Sequence, residues 1–120
     1  PYHCQCRRTS RLLREALGWE PGRLVTTFQS RFGREEWLKP YTAEEVARLA
    51  REEGVMRIAV VAPAFSADCV ETLEEIRGEV AEAFEAAGGH GFHYIPCLND
   101  EPAHLDAIEG LVLRNLGGWL

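Results

Sequence analysis

One uninterrupted apolar segment, Ile58-Ala59-Val60-Val61-Ala62, limits the fold of this chain more than any other feature. A strand with one face in water alternates apolar and polar residues, whereas a strand covered on both faces is apolar throughout. Pro63 ends the segment, as expected for a residue that cannot continue a central strand. The segment therefore predicts a central strand of a parallel sheet with helices on both faces.

Helical patterns separate this strand from two further strand-like segments. Leu13 and Leu17 recur one helical turn apart, and Thr42 with Glu45 has the sequence of a capping box. The predicted order is helix 2–17, strand 24–28, helix 42–54, strand 58–62, helix 68–87, strand 92–95 and helix 101–116. Because a helix joins each strand to the next, the strands should pair in parallel. We predict a three-layer α/β sandwich with a mostly parallel sheet, formed as one domain over residues 1–120.

Charge and hydropathy exclude several classes of function. The net charge is −6 and the pI is near 5.2, which argues against a nucleic-acid partner. No apolar run approaches the ~20 residues that span a bilayer, and no signal pattern opens the chain. We expect a cytoplasmic protein, with peripheral membrane association left open. Because the first residue is Pro1 and not Met, we also expect that an upstream segment has been removed.

The four cysteines are Cys4, Cys6, Cys69 and Cys97. Their spacing matches neither a zinc ribbon nor a disulfide scaffold, so reduced thiols are expected. An iron-sulfur cluster is the less favoured alternative, since it would require all four to meet in the fold.

The ligand site should lie beyond the carboxyl ends of the strands, as in other open α/β sheets. The loops at this edge are residues 29–41, 63–68 and 96–102. None contains a glycine pattern that could hold a phosphate group, so nucleotide binding is disfavoured.

A row of carboxylates runs along the predicted helix 68–87. Glu71, Glu75, Glu79 and Glu82 fall on one face at helical spacing. One interpretation is a solvated face, with Asp68 serving only as a cap. The other is a line of oxygen donors that binds a divalent cation or carries protons out of a cleft. Like charges one turn apart destabilise a helix, which favours the second interpretation.

Two aromatic residues lie at the same predicted edge. Trp37 falls in a loop and Phe65 follows the central strand. Such rings could stack on a flat apolar ligand or simply close the core. The four histidines share no metal-ligand spacing and are expected to be structural or superficial.

Five segments, in the same order, resemble the ferrochelatases, and especially their proteobacterial form. They cover nearly the whole chain. The segments are Pro1-Tyr2-His3, Phe28-Gln29-Ser30-Arg31-Phe32-Gly33, Glu36-Trp37-Leu38-Lys39-Pro40-Tyr41-Thr42, the stretch from Pro63 to Ile76, and Tyr94-Ile95-Pro96-Cys97-Leu98-Asn99-Asp100. The resemblance implies a class II chelatase-like fold of two similar halves, of which this chain is the C-terminal one. It implies Fe2+ and a porphyrin as substrates, the porphyrin lying between the halves, and no organic cofactor; a [2Fe-2S] cluster is not expected.

The resemblance also implies roles for the glutamate row. Glu71 corresponds to the active-site glutamate that binds the metal or takes up pyrrole protons. Glu75 and Glu79 correspond to the acidic line that continues from it along the helix.

The porphyrin-binding residues implied by the resemblance come from the loops. Trp37 and Phe65 correspond to aromatic residues of the pocket, and Gln29, Ser30 and Arg31 to the segment that lines the cleft.

One departure limits the expected activity. The family's essential histidine would lie upstream of Pro1, and His3 does not correspond to it. The chain alone is therefore expected to have little chelatase activity and to need the N-terminal half of the enzyme. The alternatives are a half-size chelatase or metal-binding module that pairs with itself, and a non-catalytic flavodoxin-like binding domain.

Overall fold

The computed structural model describes residues 2–30 and 33–119 and has an α/β architecture. Its elements are α1 (Tyr2–Ala16), α2 (Thr42–Glu53), β1 (Arg57–Val61), a π-helix (Glu71–Val80) continued by α3 (Ala81–Ala86), β2 (Gly91–Ile95) and α4 (Pro102–Leu116). The α/β class and every predicted helix are thus confirmed. No helix among these residues is long and apolar enough to cross a membrane.

The sheet in the described part of the chain consists of β1 and β2, paired in parallel with Ile58 opposite Phe92 and Val60 opposite Tyr94. Parallel pairing across a helical crossover confirms the prediction from the element order. The residues of β1 alternate between half-buried and exposed, and Val61 is 40% exposed. The expectation that both faces of this strand are covered is therefore not met by the described residues.

The predicted strand at 24–28 is wrong. This segment lies outside β1 and β2 and contributes only an isolated parallel bridge between Phe28 and Tyr41. Phe28 is nevertheless buried, and its N–H donates to the carbonyl of Pro40. The apolar and β-branched residues of this segment suit burial against the core. Among the described residues, however, no neighbouring strand supplies the hydrogen-bond partners of a β-ladder.

The predicted capping box is also wrong. Helix α2 begins at Thr42 itself, and the preceding residue, Tyr41, makes no side-chain cap bond. Thr42 Oγ1 lies 3.0 Å from Thr27 Oγ1 and 3.1 Å from the Phe28 carbonyl, which it binds in preference to its own helix. Glu45 forms an ion pair with Arg48 at 2.7 Å. A tertiary contact therefore engages the Thr42 hydroxyl, and an ion pair within α2 engages the Glu45 carboxylate, so neither group forms the capping box.

The long helix predicted at 68–87 is continuous from Val70, but its hydrogen-bonding pattern changes along its length. Its first ten residues, Glu71–Val80, form a π-helix, and only Ala81–Ala86 is α-helical. The i→i+5 bonding of a π-helix widens the turn and is often found at functional sites. The periodicity of the sequence indicates a helix here, but it does not distinguish a π-helix from an α-helix.

The core lies between α2, α3 and the sheet. Val46, Ala50, Val80 and Phe84 are buried together, and Phe92 packs against them from β2. The rings of Phe84 and Phe92 are 6.3 Å apart and tilted by 54°. This core is small for a chain of 120 residues.

Much apolar surface lies outside that core. Helices α1 and α4 contain no buried residue. The accessible surface is 8941 Å², whereas a compact protein of 13.5 kDa exposes about 6,500 Å². The radius of gyration is 16.5 Å, against about 13.6 Å for a compact domain of this length. The small core therefore leaves α1 and α4 largely exposed, with no other described element packed over them.

Candidate functional site

The glutamate helix and the segment after residue 28 meet through a chain of side-chain hydrogen bonds. Gln29 Nε2 donates to the carbonyl of Glu71 at 2.9 Å and to Ser30 Oγ at 3.2 Å. Ser30 Oγ in turn donates to Glu75 Oε2 at 2.9 Å. Four of the predicted site residues are thereby brought together from positions more than forty residues apart.

Ser30 adopts a left-handed backbone conformation, with φ at 59°. A residue other than glycine, asparagine or aspartate rarely occupies this region, and it does so at an energetic cost. The conformation accompanies the hydroxyl's contact with Glu75. Strained backbone positions of this kind cluster at active sites and ligand-binding segments.

Glu71 lies at the beginning of the π-helix and is partly exposed. A hydrogen bond from Cys69 and a second from its own backbone lower the pKa of the Glu71 carboxyl. The carboxylate is therefore ionised at neutral pH and can accept a proton or contact a cation.

An open cavity of about 310 Å³ lies beside this hydrogen-bond chain. Its lining includes Gln29, Ser30, Glu75 and Glu79, with Phe28, Tyr41, Thr42, Ala43, Glu44 and Val80. Glu79 thus faces the same space as Glu75, as predicted from their spacing. Glu82 is exposed and lines neither this cavity nor the larger one described next.

A second open cavity of about 490 Å³ lies between the π-helix and β2. Arg77 lines it together with Asp68, His93 and Tyr94. Arg77, the basic residue of the π-helix, therefore lines a different cavity from Glu75 and Glu79.

The structure does not bring the predicted aromatic residues into either cavity. Trp37 is 41% exposed in the segment before α2. Phe65 is half-buried in the turn that follows β1, where its N–H donates to the carbonyl of Ala62. The predicted contribution of Arg31 lies outside the described residues.

A hydrogen-bond cluster around Asp68 was missed by the sequence reasoning, which treated this residue only as a cap. Tyr94 OH donates to Asp68 Oδ1 at 2.6 Å, and Thr72 Oγ1 donates to the same oxygen at 3.0 Å. Asn99 Nδ2 donates to Asp68 Oδ2 at 2.9 Å. These bonds, that of Asn99 foremost, hold the pKa of Asp68 well below its usual range. Burial and the bond to Asp68 raise the pKa of Tyr94 far above that of a free tyrosine.

A sequence signal for this cluster did exist. Asp68 follows β1, and Asn99 follows β2 in the next loop. The carboxyl ends of paired parallel strands share one edge of the sheet, so polar residues after each strand are expected to be neighbours. The role of the bonds, however, depends on distances that only the structure supplies.

The cysteines and histidines occupy varied environments. Cys4 is exposed and Cys97 is buried, and all four thiols are free. Within the described ranges, no three His, Cys, Asp or Glu side chains are arranged to hold a metal ion. His3 stacks on Phe28 with ring centroids 5.5 Å apart, and His104 binds the loop that carries Ser66 at 3.1 Å.

The fold and the site define a class: an α/β protein in which the side chains of Glu75 and Glu79 line one open cavity with Gln29 and Ser30. The ferrochelatase family model matches residues 1–116, and the chain therefore belongs to the ferrochelatase family.

Individual relatives agree with this assignment. The chain is 63% identical over 120 residues to a ferrochelatase from Rhodobacter capsulatus, covering all of this chain and 34% of that protein. It is 59% identical over 120 residues to one from Rhizobium meliloti, again along the whole chain and 35% of the relative. A third, from Thioalkalivibrio sulfidiphilus, is 61% identical over 119 residues, 99% of this chain and 32% of that protein. The chain thus spans about a third of the length of the relatives it matches.

Proposed function

We propose that this chain is the C-terminal part of a ferrochelatase of the proteobacterial type, forming one chelatase domain over residues 1–120. The intact enzyme would insert Fe2+ into protoporphyrin IX and form protohaem. The observation that carries the proposal is the hydrogen-bond chain that places Glu71 and Glu75 beside Gln29 and Ser30. These residues converge in the structure although nothing in local sequence joins them.

Metalation of a porphyrin has two requirements that this site addresses. Two pyrrole protons must leave, and Fe2+ must exchange water for ring nitrogens. Glu71 is ionised at neutral pH, as an ordinary glutamate is, and its lowered pKa favours the charged form further. In the proposed enzyme this anion contacts the incoming Fe2+ or accepts a pyrrole proton.

The remaining glutamates offer a route away from that centre. Glu75 and Glu79 lie at successive four-residue intervals and line one cavity. A carboxylate that accepts a hydrogen bond from Ser30 is fixed in orientation, which suits a relay of protons or of iron between neighbouring oxygens. Gln29 and Ser30 would line the porphyrin cleft together with Arg31, while Trp37 and Phe65 would contact the ring.

The described glutamates need an additional ligand to hold a metal. Within the described ranges no three candidate ligands are clustered. We infer that the missing ligand is a histidine in the N-terminal part of the enzyme, as the resemblance implies. Fe2+ is a substrate in this proposal, and no organic cofactor is involved.

The exposed apolar surface is evidence for an interface with a large partner. We infer that this partner is the rest of the same enzyme. Helix α4 exposes six large apolar side chains: Leu105, Ile108, Leu111, Val112, Leu113 and Leu116. Large amounts of exposed apolar surface normally mark an interface in a water-soluble assembly. The excess accessible surface of more than about 2,000 Å² is in the range of an obligate interface. A cytoplasmic location and peripheral membrane contact stay predictions.

The deciding experiment compares the 120-residue chain with a version extended to the full length of its relatives. Iron insertion is followed by the loss of porphyrin fluorescence, with protoporphyrin and coproporphyrin offered separately. We expect turnover only in the extended protein. Turnover in both proteins would favour a self-pairing half-size chelatase, and turnover in neither would overturn the proposal.

Glu71→Gln in the extended protein tests the central residue. The matched control is Glu74→Gln, which removes an exposed carboxylate from the same helix. We expect the first variant to lose at least about 100-fold in kcat, as general-base residues commonly contribute that much. Normal turnover by a folded Glu71→Gln protein would remove Glu71 from the mechanism.

A further inference from the structure

Asn99 makes three contacts with the segment that precedes the glutamate helix. Its Nδ2 donates to Asp68 Oδ2 at 2.9 Å, and its Oδ1 accepts the backbone N–H of Asp68 at 2.8 Å. Its own backbone N–H donates to the carbonyl of Ser66 at 3.0 Å. One side chain and one amide therefore hold the three residues 66–68 against the loop after β2.

The backbone of Asn99 is adapted to this task. Its φ is 47°, a left-handed conformation that asparagine tolerates better than most residues. The carbonyl of Asn99 lies 2.8 Å from His104 Nδ1, and His104 Nε2 lies 3.1 Å from Ser66 Oγ. The start of α4 thus supports the same loop that Asn99 holds.

Asp68 transmits this constraint to the π-helix. Besides Asn99, its carboxylate accepts hydrogen bonds from Tyr94 OH and Thr72 Oγ1. Thr72 is fully buried and follows Glu71 directly. The carbonyl of Cys69 accepts the N–H groups of Thr72 and Leu73, at 3.1 and 2.9 Å. The position of Glu71 is therefore linked to Asn99 through two intervening side chains.

The hydrogen bonds of Asp68 suit a structural, positioning role better than a role as proton acceptor. Both carboxylate oxygens already accept hydrogen bonds from neutral donors. These donors stabilise the ionised form strongly, and a carboxylate so stabilised is a weak base at neutral pH.

We propose that Asn99 and Asp68 form a positioning pair, which holds Glu71 in its working orientation through hydrogen bonds without exchanging protons with the substrate. This inference rests on the proposed function, because the orientation it explains is that of the proposed catalytic glutamate. It assigns Asn99 a role in turnover although its side chain points at Asp68 and not at the glutamates.

Exchanging the two side chains tests this pair in the full-length enzyme. In the double variant Asp68→Asn/Asn99→Asp, an amide at position 68 can donate to a carboxylate at position 99. Tyr94, Thr72 and the backbone N–H of residue 68 keep their acceptors. The new arrangement loses the bond from Asn99 Nδ2 to the carbonyl of Cys97, so recovery is expected to be incomplete.

The single variants set the scale. Asn99→Asp opposes two carboxylates, and Asn99→Gly removes the side chain while keeping the left-handed backbone accessible. We expect each to lower kcat by about 10- to 100-fold, the range seen when residues that orient an active group are changed. The porphyrin KM should change less than about threefold, since binding residues are untouched. Asp100→Asn, an exposed neighbour, is the matched control.

The double variant distinguishes positioning from proton transfer. We expect it to recover most of the kcat that Asp68→Asn and Asn99→Asp lose singly. A double variant as slow as Asp68→Asn alone would overturn the proposal, because position 68 would then need its charge.

Amide hydrogen exchange at Thr72 and Leu73 supplies a measure that does not depend on turnover. Protection should fall in Asn99→Gly and return in the double variant. If the parent enzyme has no chelatase activity, the proposed function fails while this measure still reports on the pair. Unchanged protection in Asn99→Gly would overturn the positioning role itself.

Discussion

Ser30 Oγ donates a hydrogen bond to Glu75 Oε2 across 2.9 Å, joining residues 45 positions apart in the chain. The bond couples a strained backbone position to the acidic line of the π-helix. It also receives support from Gln29, whose amide donates to the same hydroxyl. Hydrogen bonds in such a series polarise and strengthen one another.

Replacing Ser30 should separate the hydroxyl from the backbone strain. Ser30→Ala and Ser30→Gly both remove the bond to Glu75, and we expect a similar loss of turnover from each. Glycine adopts a positive φ freely, so Ser30→Gly should be more stable than Ser30→Ala by about 1 kcal/mol. Urea unfolding of the full-length protein measures the difference. Equal stability would show that the left-handed conformation is not strained.

The contact between Gly89 and Phe84 should tolerate no added carbon. A Cβ built at Gly89 would overlap the Phe84 ring, which is fully buried. Gly89→Ala should therefore lower the free energy of unfolding by about 1–3 kcal/mol, the usual range for overpacking. Gly110→Ala is the control, because no atom lies near its added carbon. Thermal unfolding of both variants decides the matter, and equal transition temperatures would contradict the packing argument.

Asp68 should make stability depend on acid pH. Its pKa is lowered in the folded state by Asn99, Tyr94 and Thr72. The stabilisation is therefore fully present above the unfolded pKa of about 3.9 and is lost as the pH falls below that value. Thermal unfolding of the parent should decline more steeply than that of Asp68→Asn between neutral and strongly acidic pH. Parallel declines would argue that the hydrogen bonds of Asp68 do not persist in solution.

The exposed apolar side chains of α4 should govern how the chain associates. We expect the 120-residue chain alone to self-associate, because Leu105 and Leu111 are about half exposed. Leu105→Lys/Leu111→Lys should reduce this association in sedimentation velocity and should also weaken assembly with a separately produced N-terminal part. Glu109→Gln, a change on the same helix, is the control. A stable dimer of the parent with iron-insertion activity would instead identify a self-pairing chelatase.

Sequence periodicity located the helices well and the strands less completely. Two sequence patterns succeeded because they depend only on residues close together in the chain: the spacing of Leu13 and Leu17, and the apolar segment before Pro63. Residues 24–28 have the composition of a strand, but a strand exists only when another strand supplies its hydrogen-bond partners. No such partner is present in the described part of the chain.

Candidate site residues were predicted unevenly for the same reason. Glu71, Glu75 and Glu79 were identified from their spacing along one helix. The participation of Asn99 was missed, since its contact with Asp68 crosses 31 residues. The roles predicted for Trp37 and Phe65 stay predictions.

The sequence by itself determined the α/β class, the helices and the acidic line, because these follow from periodicity and from resemblance along the chain. The tertiary structure alone decided the π register, the contacts of Thr42, and the meeting of Ser30 with Glu75 and of Asn99 with Asp68. The contacts of Thr42, Ser30 and Asn99 each join groups at least 14 residues apart, and these groups compete with local backbone partners for the same hydrogen bonds. Such competition is resolved only when packing fixes which partner is near, and no local pattern of residues encodes that choice.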